Sequence, residues 1–396
     1  MFVRQAAIPY GPLGYLLFGF RVTRSETPRL QGELSVQAIG GDPHTTTAQL
    51  AGVVALAACG FERIVIGLSA TAFFPGAARE HIHVPVTWAM TDTAPGGVKA
   101  NAGTILAGMQ PIRIAGLSDG PAKDDVLIEL GKRLWSDRLG PYLETALTDQ
   151  RHDRARALIV GNSYRQAGLL GRGIAAMTDP RRLAIAVSAN NGPVYLALPP
   201  GAESLTADQF ESFGHGPVGR VLIAPLSRVA RGLNILVPGQ QISAIASIWV
   251  CVRPVAQVHE PAELFASVNS AAIGKGSASA DPAALLAQQR TAAHNRLYWI
   301  LSCDRRFSLL PRKLKSEVVA GMLVDLIQLA GRARRGGTPV DLFLVDGAFH
   351  DPRLSSDLPS LVRYHYENLD EDEQAAMKRV YGGMLTALLE YAGVPG

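Results

Sequence analysis

The sequence predicts an α/β protein built on a parallel sheet, and three observations lead there. Short, uninterrupted apolar runs recur along the 396-residue chain, and continuous rather than alternating runs are what strands covered on both faces require. Segments of helical period, several opened by a Thr, Ser or Asp suited to capping, lie between these runs, which is the alternation that crossover connections produce. The composition, 47% hydrophobic and 18% charged, is enough for a sizeable core, and the length suggests two or three domains.

Taken in order, the apolar opening MFVRQAAIPYGPLGYLLFGFRV is interrupted by Pro9, Gly11, Pro12 and Gly14 and lacks a clean small-residue cleavage site, so it reads as a loop or hairpin rather than a signal peptide. TTTAQLAGVVALAAC (45–59) predicts a helix capped by Thr45 or Thr46, and RIVIGLS (63–69) a strand. Residues 91–123, rich in Gly, Ala and Pro, predict a linker or loose excursion with a boundary near 125. Beyond it, RALIVGN (156–162), RLAIAVS (182–188), PVYLALP (193–199), RVLIAPL (220–226), SIWVCVRP (247–254) and DLFLVDG (341–347) predict strands. Helices are expected at 163–176, 206–213, 281–303 (Asp281, then Pro282), 313–330 and in the acidic-led final segment, with a second loop at 270–282. Trp88, Trp249 and Trp299 are expected in cores.

The net charge of +4 permits a polyanionic partner without demanding one. Cys59, Cys251 and Cys303 are odd in number and far apart, which argues against disulfides or a thiolate metal site and fits a reducing cytoplasm. No run approaches the ~20 apolar residues of a membrane span.

The most telling stretch is LIQLAGRARRGGTPVDLFLVD (326–346), where Arg332, Arg334 and Arg335 stand between an apolar helix and an apolar strand. Arginines at a helix end are ordinarily solvated charges favoured by the negative end of the macrodipole. Gln328, Gly331, Arg332 and Arg335 nevertheless spell Q-x-x-G-R-x-x-R. On a helical turn that spacing places two guanidinium groups on one face, where their planar forks match phosphate oxygens, and the glycine lets another body approach.

This stretch resembles motif VI of superfamily 2 helicases, most of all the XPD and DinG-like branch. Three further segments resemble that family in its order. Ser69-Ala70-Thr71 after the apolar run 63–69 is similar to motif III, RALIVGNSYRQAGLLGRGI (156–174) to motif IV, and GHGPVGRVLIAPLSRVARGLNI (214–235) to motif V, with Arg231, Gly232 and Asn234. The resemblance implies RecA-like domains, parallel sheets with helices on both faces. Residues 1–125 would be the end of a first such domain with a linker, 126–365 a complete second one, and 366–396 a C-terminal helix.

It also implies roles. Arg332 and Arg335 would reach the γ-phosphate of ATP held with Mg2+ between two domains, supported by Gln328 and Gly331. Arg231, Gly232 and Asn234 would link nucleotide state to the strand, Asn234 standing where many relatives have aspartate. Single-stranded DNA or RNA would lie against Ser69, Thr71, Ser163, Tyr164 and Arg165, the last three at a helix start whose amides suit a backbone phosphate.

The departures are as informative. Neither Walker A, G-x-x-x-x-G-K-[ST], nor a Walker B acidic pair occurs in the sequence. Gly274-Lys275-Gly276-Ser277 has Asn269 where the first glycine belongs, and Asp42 and His44 follow no apolar strand. The phosphate-gripping half is therefore expected on an upstream-encoded segment or partner. A non-catalytic module that binds nucleic acid or docks on such a partner is the alternative, and an unrelated enzyme acting on a phosphorylated metabolite a third. His81 and His83 alternate as on an exposed strand, and no third ligand makes them a metal site. Asp304-Arg305-Arg306 and Arg312, Lys313 and Lys315 read as solvated charge.

Overall fold

The computed structural model describes residues 17–23, 33–39, 51–52, 54–61, 66–83, 86–90, 97–189, 198–230, 234–273 and 281–395. Where the sequence suggested boundaries near 125 and 365, the chain contacts form two discontinuous units, 1–89 with 256–321 and 90–255 with 322–396.

The second unit holds a seven-stranded parallel sheet with helices on both faces. With β1 (Leu17–Thr23), β2 (Glu33–Ile39), β4 (Leu106–Ala107) and β5 (Gln110–Pro111) forming two small antiparallel pairs, the main sheet comprises β3 (Val98–Ala102), β6 (Ala157–Gly161), β7 (Leu183–Ala186), β8 (Glu203–Leu205), β9 (Val221–Pro225), β10 (Ser247–Val250) and β11 (Val340–Leu344), in the order β3-β11-β10-β6-β9-β7-β8. β6 and β9 are buried at every residue, as continuous apolar runs require, and pair in register from Ala157 with Val221 to Gly161 with Pro225.

One face carries α1 (Pro121–Leu134) and α3 (Tyr164–Ala175), with α2 (Gly140–Thr148) following α1. Leu127, Leu130, Leu170 and Ile174 from these helices share a core with Ile159, Ile185, Ile223 and Trp249. α1 and α3 cross at two glycines: a Cβ on Gly131 would stand 2.5 Å from the Leu170 carbonyl oxygen, and one on Gly173 would collide with that of Ile128. On the other face, Leu158 meets Leu329 and Ala333 at the end of a 22-residue helix, Arg312–Ala333. The short helix Leu226–Val229 is α4, Pro261–Ile273 is α5, Pro282–Ser302 is α6 and Arg312–Ala333 is α7; α8 (Leu358–Glu367) and α9 (Glu371–Tyr391) close the chain, α9 packing on β3.

Three expectations need correction and a fourth lies almost wholly outside the described residues. Of the stretch 91–123, the described residues 97–123 are no loose excursion: Val98–Ala102 is an edge strand paired with β11, and Ile105, Ile112 and Ile114 are buried in the core. An edge strand has one neighbour and can keep the mixed exposure of VKANA, so it shows no apolar run. Residues 66–69 of the expected strand at 63–69 have no regular structure, with Ile66 80% and Leu68 93% exposed, while 63–65 lie outside the described residues. Trp88 is 91% exposed, whereas Trp249 is buried with its ring stacked on Phe343 at 3.9 Å. The strand expected at 193–199 lies outside the described residues except for Leu198 and Pro199, which are not in a strand.

In the first unit α5, α6 and the start of α7 meet through Arg296. It bonds Ser267 of α5 at 2.6 Å, pairs with Glu317 of α7 and lies over its own helix's Trp299. Burial pushes the Glu317 carboxyl up, against the pull of Arg296. His81 is buried and accepts the Phe74 amide on Nδ1, and His83 sits 3.2 Å from Ser270. Neither lies on a strand, which corrects the reading of two exposed strand histidines.

Candidate functional site

α7 delivers the arginine stretch to the edge of the sheet where the strands begin. The helix is apolar enough to pack Leu326, Ile327, Leu329 and Ala330 inward, and it ends at Ala333, where Gly336 and Gly337 turn the chain at φ +75° and +72°. Gly336 is required there twice over, because a Cβ would stand 2.6 Å from the Gln241 carbonyl oxygen. Arg332 is consequently helical and half-buried, whereas Arg335 lies two residues past the helix and is exposed. The two do not share one helical turn, which corrects the spacing argument. Arg334 is buried.

The helix end is capped from elsewhere. Arg154, 5% exposed and just ahead of β6, donates to four main-chain carbonyls: Ser243 at 2.7 Å, Ile245 at 2.8 Å, Pro339 at 2.9 Å and Ala333 at 3.1 Å. Thr338 Oγ1 also donates to the Ala333 carbonyl, at 3.2 Å, and the Ser243 amide donates to the Arg335 carbonyl at 3.0 Å. Burial pulls the Arg154 pKa down to about 10, with no carboxylate in contact. Arg332 and Arg335, by contrast, make no side-chain hydrogen bond or ion pair with any described residue.

Arg332 faces a small cavity lined by Leu158 of β6, Val229 and Ile235 on either side of residues 231–233, Ser243, Ile245, Leu329 and Ala333. The segments likened to motifs IV, V and VI thus meet at one place, although the lining residues Leu158, Val229 and Leu329 are more than 60 residues apart in sequence. Arg231 and Gly232 lie outside the described residues. Asn234 accepts no bond from a described residue on its buried Oδ1, while its main-chain amide donates to Glu211 at 3.0 Å. Gly331 faces α9, where a Cβ would meet the Met384 sulfur at an ordinary 3.6 Å, and Gln328 is half-buried.

The other expected residues stand at the opposite edge of the sheet, where the strands end. Ser163 caps α3, accepting the Gln166 amide at 3.2 Å, and the Gln166 side chain in turn accepts the Asn162 amide at 2.7 Å. Tyr164 is half-buried, and Arg165 is exposed but paired with Asp124 of α1. Asn162 also donates to the Arg253 carbonyl at 3.2 Å.

That edge is organised by a residue the sequence reading passed over. Asp346 is fully buried, and each of its oxygens accepts two amides at 3.0 Å: Ile114 and Ala348 on Oδ1, Ala115 and Arg253 on Oδ2. Arg253, 6% exposed, donates to the Ala348 carbonyl at 2.6 Å and the Ser356 carbonyl at 2.7 Å. Ser69 and Thr71 belong to the first unit, where the Thr71 amide donates to Ser69 Oγ at 3.2 Å. Among the described residues no His, Cys, Asp and Glu group is arranged to hold a metal, and no helix is long and apolar enough to cross a membrane.

Compared with known proteins, the chain matches no family model and no curated sequence.

Proposed function

We propose that this chain is the arginine-bearing half of a superfamily 2-type helicase motor, its RecA-like second domain supplying Arg332 and Arg335 to an ATP and Mg2+ site completed by a Walker-bearing polypeptide. The carrying observation is that Arg332 and Arg335 bond and pair with no described residue although they stand at a helix end that attracts cations. Their neighbourhood supports the reading, because Arg332 lines a cavity with both flanks of the segment likened to motif V and with the β6 strand likened to motif IV. A guanidinium held without a counter-ion is suited to neutralise charge developing on a transferred phosphoryl group. Single-stranded DNA or RNA would run along the opposite edge, at Ser163 and Tyr164, with Arg165 available once its pair with Asp124 opens.

The test is phosphate release from ATP by the purified chain, alone and with a Walker-bearing polypeptide encoded beside it, with and without a single-stranded oligonucleotide. The expected result is hydrolysis only in the mixture, stimulated by the oligonucleotide and reduced on the order of 1000-fold by Arg332→Ala with Arg335→Ala. An unchanged rate with the double variant sinks the assignment of these arginines.

A further inference from the structure

We propose that Arg154 is the positioning residue of the arginine turn: by taking over the capping of α7 it keeps Arg332 and Arg335 unpaired and available to an external anion. The availability to phosphate rests on the proposed function; the capping does not.

A helix end leaves its last carbonyls without intrahelical partners, and nearby Lys or Arg side chains are among the groups that can satisfy them. This chain puts three arginines within three residues of Ala333, each long enough for that task. The Ala333 carbonyl is nevertheless bonded by Arg154 and Thr338. Arg154 comes from 179 residues away and reaches three further carbonyls from the segments entering β10 and β11. Its charge is thus spread over four main-chain dipoles, one of them at the negative end of the helix, which holds it in place without a carboxylate. The two arginines left over are the ones without partners among the described residues, one half-buried against the cavity and one exposed. A shorter or neutral side chain at 154 leaves Thr338 alone on the Ala333 carbonyl and vacates those of Ser243, Ile245 and Pro339, which the guanidinium of Arg332 or Arg335 would then close on.

The experiment is arginine modification of the full chain by phenylglyoxal, followed peptide by peptide in wild type, Arg154→Gln and Arg154→Lys. In wild type, Arg332 and Arg335 should react fast and Arg154 slowly. In Arg154→Gln, Arg332 or Arg335 should slow by roughly two- to tenfold, the protection expected of one hydrogen bond of ordinary net strength. Arg154→Lys, which keeps a cation at the carbonyls, should restore rates close to wild type. A role confined to stability predicts the reverse, because a loosened turn exposes both arginines; equal or faster modification in Arg154→Gln overturns the proposal. Tripolyphosphate added to wild type decides the other question. Protection of Arg332 and Arg335 supports the phosphate reading, and its absence discards that reading while leaving the capping result standing.

Discussion

The two edges of the sheet solve one problem with opposite charges. Where strands begin, a buried arginine gathers four carbonyls; where they end, a buried aspartate gathers four amides. Loops entering and leaving a parallel sheet carry main-chain groups that no strand pairs, and one saturated charge satisfies several at once. The difference lies in what surrounds each clamp. Arg154 has Arg332 and Arg335 nearby at the end of α7, neither bonded to any described residue, so the cationic edge has spare bearers of charge. The anionic edge, whose Asp346 bonds only main-chain amides, has Arg253 and Asn162 tied into its own network. Spare charge at one edge is what an external ligand can use; saturation at the other builds a fixed platform.

If that contrast is sound, Asp346→Ala should have the largest effect. It orphans four N–H donors, three of them buried, and a buried donor left unsatisfied costs about 1–3 kcal/mol. Urea denaturation followed by circular dichroism should show the midpoint falling well below wild type; an unchanged midpoint would mean water replaces the carboxylate freely. Arg154→Met should cost less, about 1–3 kcal/mol, because carbonyls tolerate a missing partner better than amides do. A loss larger than that of Asp346→Ala would reverse the ranking of the two edges. Smaller still, Gly336→Ala should lower stability by about 1–2 kcal/mol through a strained positive φ and the contact with Gln241. Thermal melting checks the stability loss, and the phenylglyoxal rates of Arg335 should change while those of Arg165, at the far edge, do not.

The contrast also marks what the sequence could reveal. β6, β7, β9 and β10 announce themselves as apolar runs because both their faces are covered, and Ser163 and Asp281 announce their helices as caps. The arginine stretch was visible as a phosphate-type pattern. Its geometry was not, because Arg335 falls beyond the helix that the spacing assumed. The helix Pro121–Leu134 escaped notice beside a glycine-rich segment, although its Pro at the first turn is a helix-start signal. The clamps left no readable trace: Arg154 and Asp346 bond main-chain groups mostly about 90 or more residues distant, and a backbone carbonyl or amide carries no residue-type signature.

The finest test of the contrast uses acid. Beside Asp346, at the anionic edge, Asp351 bonds Arg353 at 2.8 Å and pairs with Arg113. The Arg353 side chain, its amide and then Arg113 hold the Asp351 carboxyl down to about 2. Since the folded value lies below the ~3.9 of an unfolded aspartate, the unfolded chain binds the proton first as pH falls. The contribution is therefore complete above about pH 4 and disappears as pH falls toward 2. Asp149 at the opposite edge is lowered in the same direction by Arg151, so acid alone weakens both edges. Asp351→Asn separates them: stability measured from pH 6 to 2 should start lower than wild type and converge with it at the acid end. Parallel curves across that range would mean that the exposed Arg353 screens the pair too well for it to matter, and would leave Asp346 as the sole anchor of that edge.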